Sequence, residues 1–211
     1  MTNLLLMGLN HARAPVEIRE RLAAPPSRLP ERLATLRTAD SVVEAALLST
    51  CNRFEIYAVV ADLMSGQGAL VDALGVCDLH CYLYTASDGA AALHLCRVAA
   101  GLDSLLLGEH EILGQVKNAL EAALAADAAG PVLSELFRHA IRAGNRARSE
   151  TAIGAGLRSL GPVELTLARQ HLGDLTGRIA LIIGVGRITR VAAETLVAGG
   201  LRCLLVANRT Y

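Results

Sequence analysis

Four groups of residues in this sequence have types and spacings that could do chemistry. The first is Thr50-Cys51-Asn52-Arg53, which sits directly between two apolar runs. It places a thiol at a strand-to-strand turn with a cation beside it, an environment that lowers a thiol pKa and exposes sulfur for attack. Cysteine is otherwise most often a small buried hydrophobe, and position alone leaves both readings open. The second is His94, on a helical stretch among Ala, Leu and Cys96. It reads either as an acid–base group or as a hydrogen-bonded core histidine. The third is the polar cluster Asp103-Ser104, Glu109, Glu111, Gln115 and Lys117. Helical spacing puts Glu111 and Gln115 on one face, while exposed charge and capping at a helix start are the plainer reading.

The fourth group is Gly184-x-Gly186, after an apolar strand and at the opening of a helix, where a dinucleotide fingerprint belongs. The first glycine allows the tight turn, and the second lets backbone approach a pyrophosphate at the helix N-terminus. Thr189 occupies the third fingerprint position, and many α/β turns carry two glycines without a nucleotide. The next strand ends in Ala207-Asn208-Arg209-Thr210, without the acidic residue that reads the ribose of NAD. A guanidinium and a hydroxyl there suit a 2′-phosphate, which favours NADP, against the alternative of a solvated terminal arginine. Arg138, Arg142 and Arg146 recur every four residues, with Arg148 close by. That stripe reads as a phosphate-tracking surface or, more commonly, as a solvated helix face. Cys77, Cys81 and Cys96 lie in apolar contexts that favour core packing. Cys77 and Cys81 with His80 lack a second ligand pair, which argues against zinc and leaves no metal site expected.

The elements that position these residues follow from periodicity. Asn3 to Leu9 is a first strand, Val16 to Leu22 a helix, and a second helix follows Pro25, Pro26 and Pro30 to end near Arg37. Val42–Ser49 and Phe54–Val60 make a hairpin around Cys51. Met64–Leu74 is a helix and His80–Thr85 a fourth strand. The order β-α-β-β-α-β predicts a ferredoxin-like α+β layer. Ala90–Ala100, Ile112–Ala126, Val132–Gly144 and Val163–Leu172 form a helical subdomain. Gly154, Gly156 and Gly161-Pro162 mark a hinge. Arg178–Ile183, a helix from Ile188 to Ala198 and Arg202–Ala207 then make one βαβ unit, an incomplete α/β Rossmann-type segment. The division expected is residues 1–155 for a catalytic domain and 156–211 for a linker helix and partial NADP-binding domain.

Composition bounds the rest. The chain has 211 residues, 53 % hydrophobic and only 19 % charged, which supports a packed core and excludes an extended, solvating polymer. Twenty basic residues balance twenty acidic ones, so no global positive field makes it a generic nucleic-acid coat. No apolar run is long enough for a membrane span, and the first residues lack a signal peptide's basic region. Five cysteines, an odd count without paired spacing, predict free thiols and a cytoplasmic setting.

These motifs taken together resemble one family, glutamyl-tRNA reductase. The resemblance rests on Gly8-Leu9-Asn10-His11 with Ala14-Pro15-Val16, on Leu48-Ser49-Thr50-Cys51-Asn52-Arg53, and on His94-Leu95 followed by Val98-Ala99-Ala100-Gly101-Leu102-Asp103-Ser104. It continues through Gly108-Glu109, Ile112-Leu113-Gly114-Gln115-Val116-Lys117, Gly184-x-Gly186 and Asn208-Arg209-Thr210. It implies that Cys51 attacks the ester carbonyl of glutamyl-tRNA(Glu) and that NADPH reduces the thioester to glutamate-1-semialdehyde, opening the C5 route to porphyrins and heme. It implies that His94 lies near the cysteine and matters for activity. It places Thr50, Asn52, Arg53, Ser104, Glu109, His110, Glu111 and Gln115 at glutamate-recognition positions, with Arg53 the natural partner of the substrate α-carboxylate. Gly184, Val185, Gly186, Arg187, Ile188, Thr189, Asn208, Arg209 and Thr210 fall at cofactor positions. The family commonly has Pro-Gln at His110-Glu111 and Gly-Ala-Gly-Glu-Met at Gly184-Val185-Gly186-Arg187-Ile188. The resemblance further implies a homodimer built through a C-terminal helical domain that these residues do not include, and a downstream aminomutase as a candidate partner. With only the start of a cofactor domain, the chain alone is expected to reduce weakly, to act as an esterase, or to serve as a non-reducing module that binds tRNA or a partner.

Overall fold

The structure, a computed structural model, describes residues 2–153, 160–185 and 187–208. They form two compact units, the first comprising Met1–Leu107 with Glu111–Ile153, the second Gly108–His110 with Gly154–Tyr211.

The first unit opens with β1 (Asn3–Asn10), α1 (Val16–Leu22) and α2 (Leu29–Arg37), then β2 (Val42–Ser49) and β3 (Arg53–Val60), α3 (Leu63–Leu74) and β4 (Tyr84–Ser87). The sheet order is β2-β3-β1-β4, and every neighbouring pair is antiparallel. This is the ferredoxin-like arrangement that the element order predicts. All eight residues of β3 are buried, because it runs between β1 and β2 with packed elements on the sheet. The fourth strand lies later than its apolar run suggests. Residues Cys77–Leu79 form a 3₁₀ turn, and pairing with β1 begins only where Tyr84 meets Gly8. Cys77 and Cys81 are therefore exposed, not packed in the core as expected, while half-buried Cys96 does pack against the core. All five cysteines are free.

Helices α4 (Asp88–Ala100), α5 (Glu111–Ala125) and α6 (Pro131–Glu150) complete the unit. Buried Glu44 of β2 accepts hydrogen bonds from the backbone N–H groups of Val132 (3.1 Å) and Leu133 (2.8 Å). A carboxylate thereby satisfies donors left open in the first turn of α6, where the helix dipole also favours negative charge. The Tyr57 ring meets Phe137 edge-on at 5.5 Å, joining β3 to α6. Gly144 lets α6 pass close to α4, since a Cβ there would sit 2.5 Å from the Ala99 carbonyl oxygen. Arg148 donates to that same oxygen at 2.7 Å. On the outer face of α6, Arg138, Arg142 and Arg146 pair with Glu135 and Glu150, which is the solvated-face alternative.

The second unit contains α7 (Leu160–Leu172), β5 (Ile179–Ile183), α8 (Arg187–Ala198) and β6 (Cys203–Ala207). The two strands are parallel and in register from Ile179–Cys203 to Ile183–Ala207. Ile179, Leu181 and Ile183 are exposed although their sequence is that of a buried strand, since two strands with α8 packed on them leave one face open. No described helix is long and apolar enough to cross a membrane.

Gly144→Ala forces a methyl into backbone at Ala99, and its cost is expected at about 2 kcal/mol. Thermal denaturation followed by circular dichroism should show a Tm lower by roughly 4–8 °C.

Candidate active site

Cys51 sits at the tip of the β2–β3 turn. The Thr50 N–H donates to the Arg53 carbonyl at 2.9 Å, and the Thr50 hydroxyl oxygen accepts from the N–H groups of Asn52 and Arg53, both at 3.1 Å. A threonine before the cysteine thus closes a tight turn, and the thiol is left exposed. Two further contacts hold the turn from the side. His11 N–H donates to the Asn52 carbonyl at 2.8 Å. Arg19 Nη1 donates to the Cys51 carbonyl at 2.5 Å and to Asn52 Oδ1 at 3.0 Å, while its Nε bonds the Ala14 carbonyl. No spacing signal marks Arg19 from sequence, while His11 is marked only as part of the Gly8-Leu9-Asn10-His11 motif. His11 is kept below its ordinary pKa by burial and by the charges of Arg53 and Arg19, against an opposing pull from Asp103. Its Nδ1 is buried without a hydrogen-bond partner.

Behind the turn lies a charged network around Glu55, which is 0 % exposed. Its carboxylate accepts from Arg53 Nη1 (2.5 Å), the Tyr57 hydroxyl (2.7 Å), the Tyr84 hydroxyl (2.5 Å) and His94 Nε2 (2.9 Å). Gly8 makes this possible. It pairs with Glu55 on one side and Tyr84 on the other, and a Cβ at Gly8 would stand 2.8 Å from Glu55 Cγ. Burial alone would raise the Glu55 pKa. The hydrogen bond from His94, the charges of Arg53 and His94, and the Tyr84 hydroxyl overcome that and hold it at about 2. Burial and the neighbouring carboxylate push the Tyr57 and Tyr84 hydroxyls well above the ordinary tyrosine range, so both remain donors. Arg53 is held above its usual value by Glu55, Tyr84 and Asp103 despite its burial.

Arg53 is only 2 % exposed, and its Nη2 also donates to the Asp103 carbonyl and to Asp103 Oδ2 (3.1 Å). Asn10 reaches the same Asp103 oxygen at 3.3 Å. The guanidinium expected to meet a substrate carboxylate is therefore already committed to two carboxylates of its own. Glu55, His94 and Asp103 bring three potential metal-ligand atoms within 4.8 Å of one another. The Arg53 guanidinium bonded to both carboxylates already supplies the positive charge a metal would bring.

The remaining predicted residues are distributed as follows. Half-buried Ser104 lies just past α4, while Glu111 opens α5 and Gln115 follows one turn on. Glu109 and His110 group with the second unit. Gly184 leaves β5 with φ +100°, donates its N–H to the Ala207 carbonyl at 2.7 Å, and has open space where a Cβ would stand. Val185 is exposed, Thr189 lies in the first turn of α8 and Asn208 just past β6. Gly186, Arg209 and Thr210, and the side chains of Arg187 and Ile188, lie outside the described residues.

The first unit thus has an exposed thiol on a braced hairpin turn with a buried carboxylate bonded to a half-buried histidine behind it, and the second has a glycine turn between two parallel strands, a partial Rossmann-like segment. The comparisons agree. The sequence model for the glutamyl-tRNAGlu reductase N-terminal domain matches residues 7–151, and that for shikimate/quinate 5-dehydrogenase matches residues 166–211. The chain belongs to the glutamyl-tRNA reductase family. It is 46 % identical to the glutamyl-tRNA reductase of Chloroflexus aggregans and 41 % to that of Pelotomaculum thermopropionicum, in each case over 99 % of this chain and 48 % of the relative. The solved glutamyl-tRNA reductase of Methanopyrus kandleri superposes with a TM-score of 0.69 at 36 % identity, over 99 % of this chain and 50 % of that one. The chain thus spans about half the length of these relatives.

Because the Glu55 carboxyl is held below its unfolded value of about 4.5, its pairing stabilises the fold fully above that pH. The contribution, about 3 kcal/mol, is lost as pH falls toward 2. Acid unfolding monitored between pH 5 and 2 should be shallower in Glu55→Gln over this window. Gly8→Ala, which pushes the carboxylate off its partners, should lose the same pH dependence.

Proposed function

We propose that this chain carries the acyl-accepting half of an NADPH-dependent glutamyl-tRNA reductase, in which Cys51 takes the glutamyl group of glutamyl-tRNA(Glu) as a thioester on the way to glutamate-1-semialdehyde. The observation that carries the reading is the exposed Cys51 on a turn braced by Thr50, His11 and Arg19. The sulfur attacks as thiolate, the bond from the carbonyl carbon to the terminal ribose oxygen breaks, and that oxygen takes a proton. His94 is the group proposed to handle the proton. Its Nε2 is tied to Glu55, which fixes the ring and leaves Nδ1 for the substrate. Thr50, Asn52, Ser104, Glu109, His110, Glu111 and Gln115 are proposed to recognise glutamate. For Arg53 to join them, the substrate carboxylate must take the place of Asp103 at its guanidinium.

Gly184, with its positive φ and open space, fits the first position of a pyrophosphate-binding turn ahead of α8. Gly186, Val185, Arg187, Ile188 and Thr189 would complete the turn, and Asn208, Arg209 and Thr210 would read the 2′-phosphate. NADPH held there would supply the hydride that converts the thioester to an aldehyde and releases the Cys51 sulfur. The reading carries with it a cytoplasmic setting, a homodimer, and the downstream aminomutase as a partner.

A thioester met by water instead of hydride yields free glutamate, so the 211-residue chain is expected to deacylate glutamyl-tRNA. Release of glutamate should fall at least 100-fold in Cys51→Ala. Deacylation at the parent rate in Cys51→Ala rules the reading out. If neither protein turns substrate over and both bind tRNA equally, the chain is a binding module instead.

A further inference from the structure

Beside His94 the first unit has an open cavity of about 400 Å³, of whose lining the reading above uses only His94. Its apolar lining comes from Leu6 of β1, Ala86 of β4 and Ala90 of α4, with Thr85 beside them. Leu93, 62 % exposed, forms one rim. Two arginines also line it. Arg13, in the loop after β1, lies across the Tyr84 ring with its guanidinium carbon 5.9 Å from the ring centroid. Arg97 comes from α4, one turn beyond Leu93. Among the described residues neither has an ion pair, although most other arginines of the first unit are paired. Asn10 and His94 close the end nearest the Glu55 network.

Two unpaired guanidinia beside an apolar lining, with an arginine–tyrosine stack at one wall, match a particular ligand chemistry. A phosphodiester takes charge-assisted bonds from the arginines, and a planar base lies on apolar and stacked surface. We propose that this cavity seats the 3′-terminal nucleotide of the tRNA acceptor end, with Arg13 and Arg97 on its phosphate. The proposal rests on the reading of Cys51 and His94 given above. His94 belongs to both sites: the proton it handles goes to the ribose oxygen of the leaving nucleotide, so that nucleotide lies on the side of the ring that lines the cavity. The glutamyl group lies on the other side, toward the turn. A glutamate side chain alone would leave the apolar lining and one arginine unused.

The test uses the full chain and four separate probes: AMP, adenosine, inorganic phosphate and glutamate. Binding is followed by the ring signals of His94 and by backbone amide shifts. AMP should move His94, Leu93 and Ala90 and bind at least five-fold more tightly than adenosine or phosphate. Arg13→Gln together with Arg97→Gln should weaken AMP by ten-fold or more, with the thermal melt unchanged, while Arg142→Gln on the far helix should have no effect. AMP should also inhibit deacylation competitively. Equal affinity for AMP and adenosine, shifts confined to the Gly184 turn, preference of the arginines for glutamate, or AMP binding insensitive to both substitutions would overturn the subsite. The two readings fail separately. AMP binding that needs both arginines, without Cys51-dependent turnover, keeps the subsite as a nucleotide site and removes the reductase reading. Cys51-dependent turnover with AMP binding insensitive to both arginines does the reverse.

Discussion

The first unit depends on keeping one carboxylate charged where no water reaches it. Burying Glu55 unpaired would cost several kcal/mol, so each donor around it is required as well as favourable. The four donors come from three elements: Arg53 and Tyr57 from β3, Tyr84 from the edge strand β4, and His94 from α4. One charge therefore ties the edge of the sheet and the first helix of the helical layer to the central strand pair. Gly8 is the geometric condition for that arrangement, since any side chain there would occupy the space where Glu55 crosses toward Tyr84. Through Arg53 the same charge reaches Asp103 and Asn10, so the segment after α4 is fixed from the same point.

Around this rigid centre the Cys51 thiol is placed on the outside. The turn that bears Cys51 is bonded along its backbone by Thr50, His11 and Arg19, so its position is set without using its side chain. The thiol stays exposed while every neighbour that could let it drift is anchored. That separation is what preorganisation requires: the costs of ordering are met in folding, before any substrate arrives.

The parts of this site that were legible in the sequence are the local ones. A cysteine between two strands and two glycines between a strand and a helix are set by neighbours within a few residues, and the structure keeps Cys51 on its turn and Gly184 at the end of β5. Glu55 was not legible, because its partners lie 29 and 39 residues away in Tyr84 and His94. A signal was present all the same. Arg53, Glu55 and Tyr57 alternate with Phe54 and Ile56 in a strand whose residues are all buried, and a buried face carrying alternate polar groups must pair them internally. The edge strand was misplaced because Cys81, Tyr82 and Leu83 extend its apolar run. Register with Gly8, which composition does not show, starts the strand at Tyr84.

Packing divides the chain where the proposed chemistry divides. The connected hydrophobic core runs from Leu5 to Ala140 and belongs wholly to the first unit. In the second unit the described buried apolar residues are Leu175 and Ala192, and the strands expose Ile179, Leu181, Ile183 and Leu205. The proposed acyl transfer would use the Cys51 turn and the His94 imidazole, and both lie in the well-packed unit. Hydride delivery needs the glycine turn of the second unit, whose strands pair only with each other among the described residues. The proposed thioester step therefore calls only on groups of the first unit. The proposed reduction would draw in addition on a two-stranded sheet that exposes apolar residues.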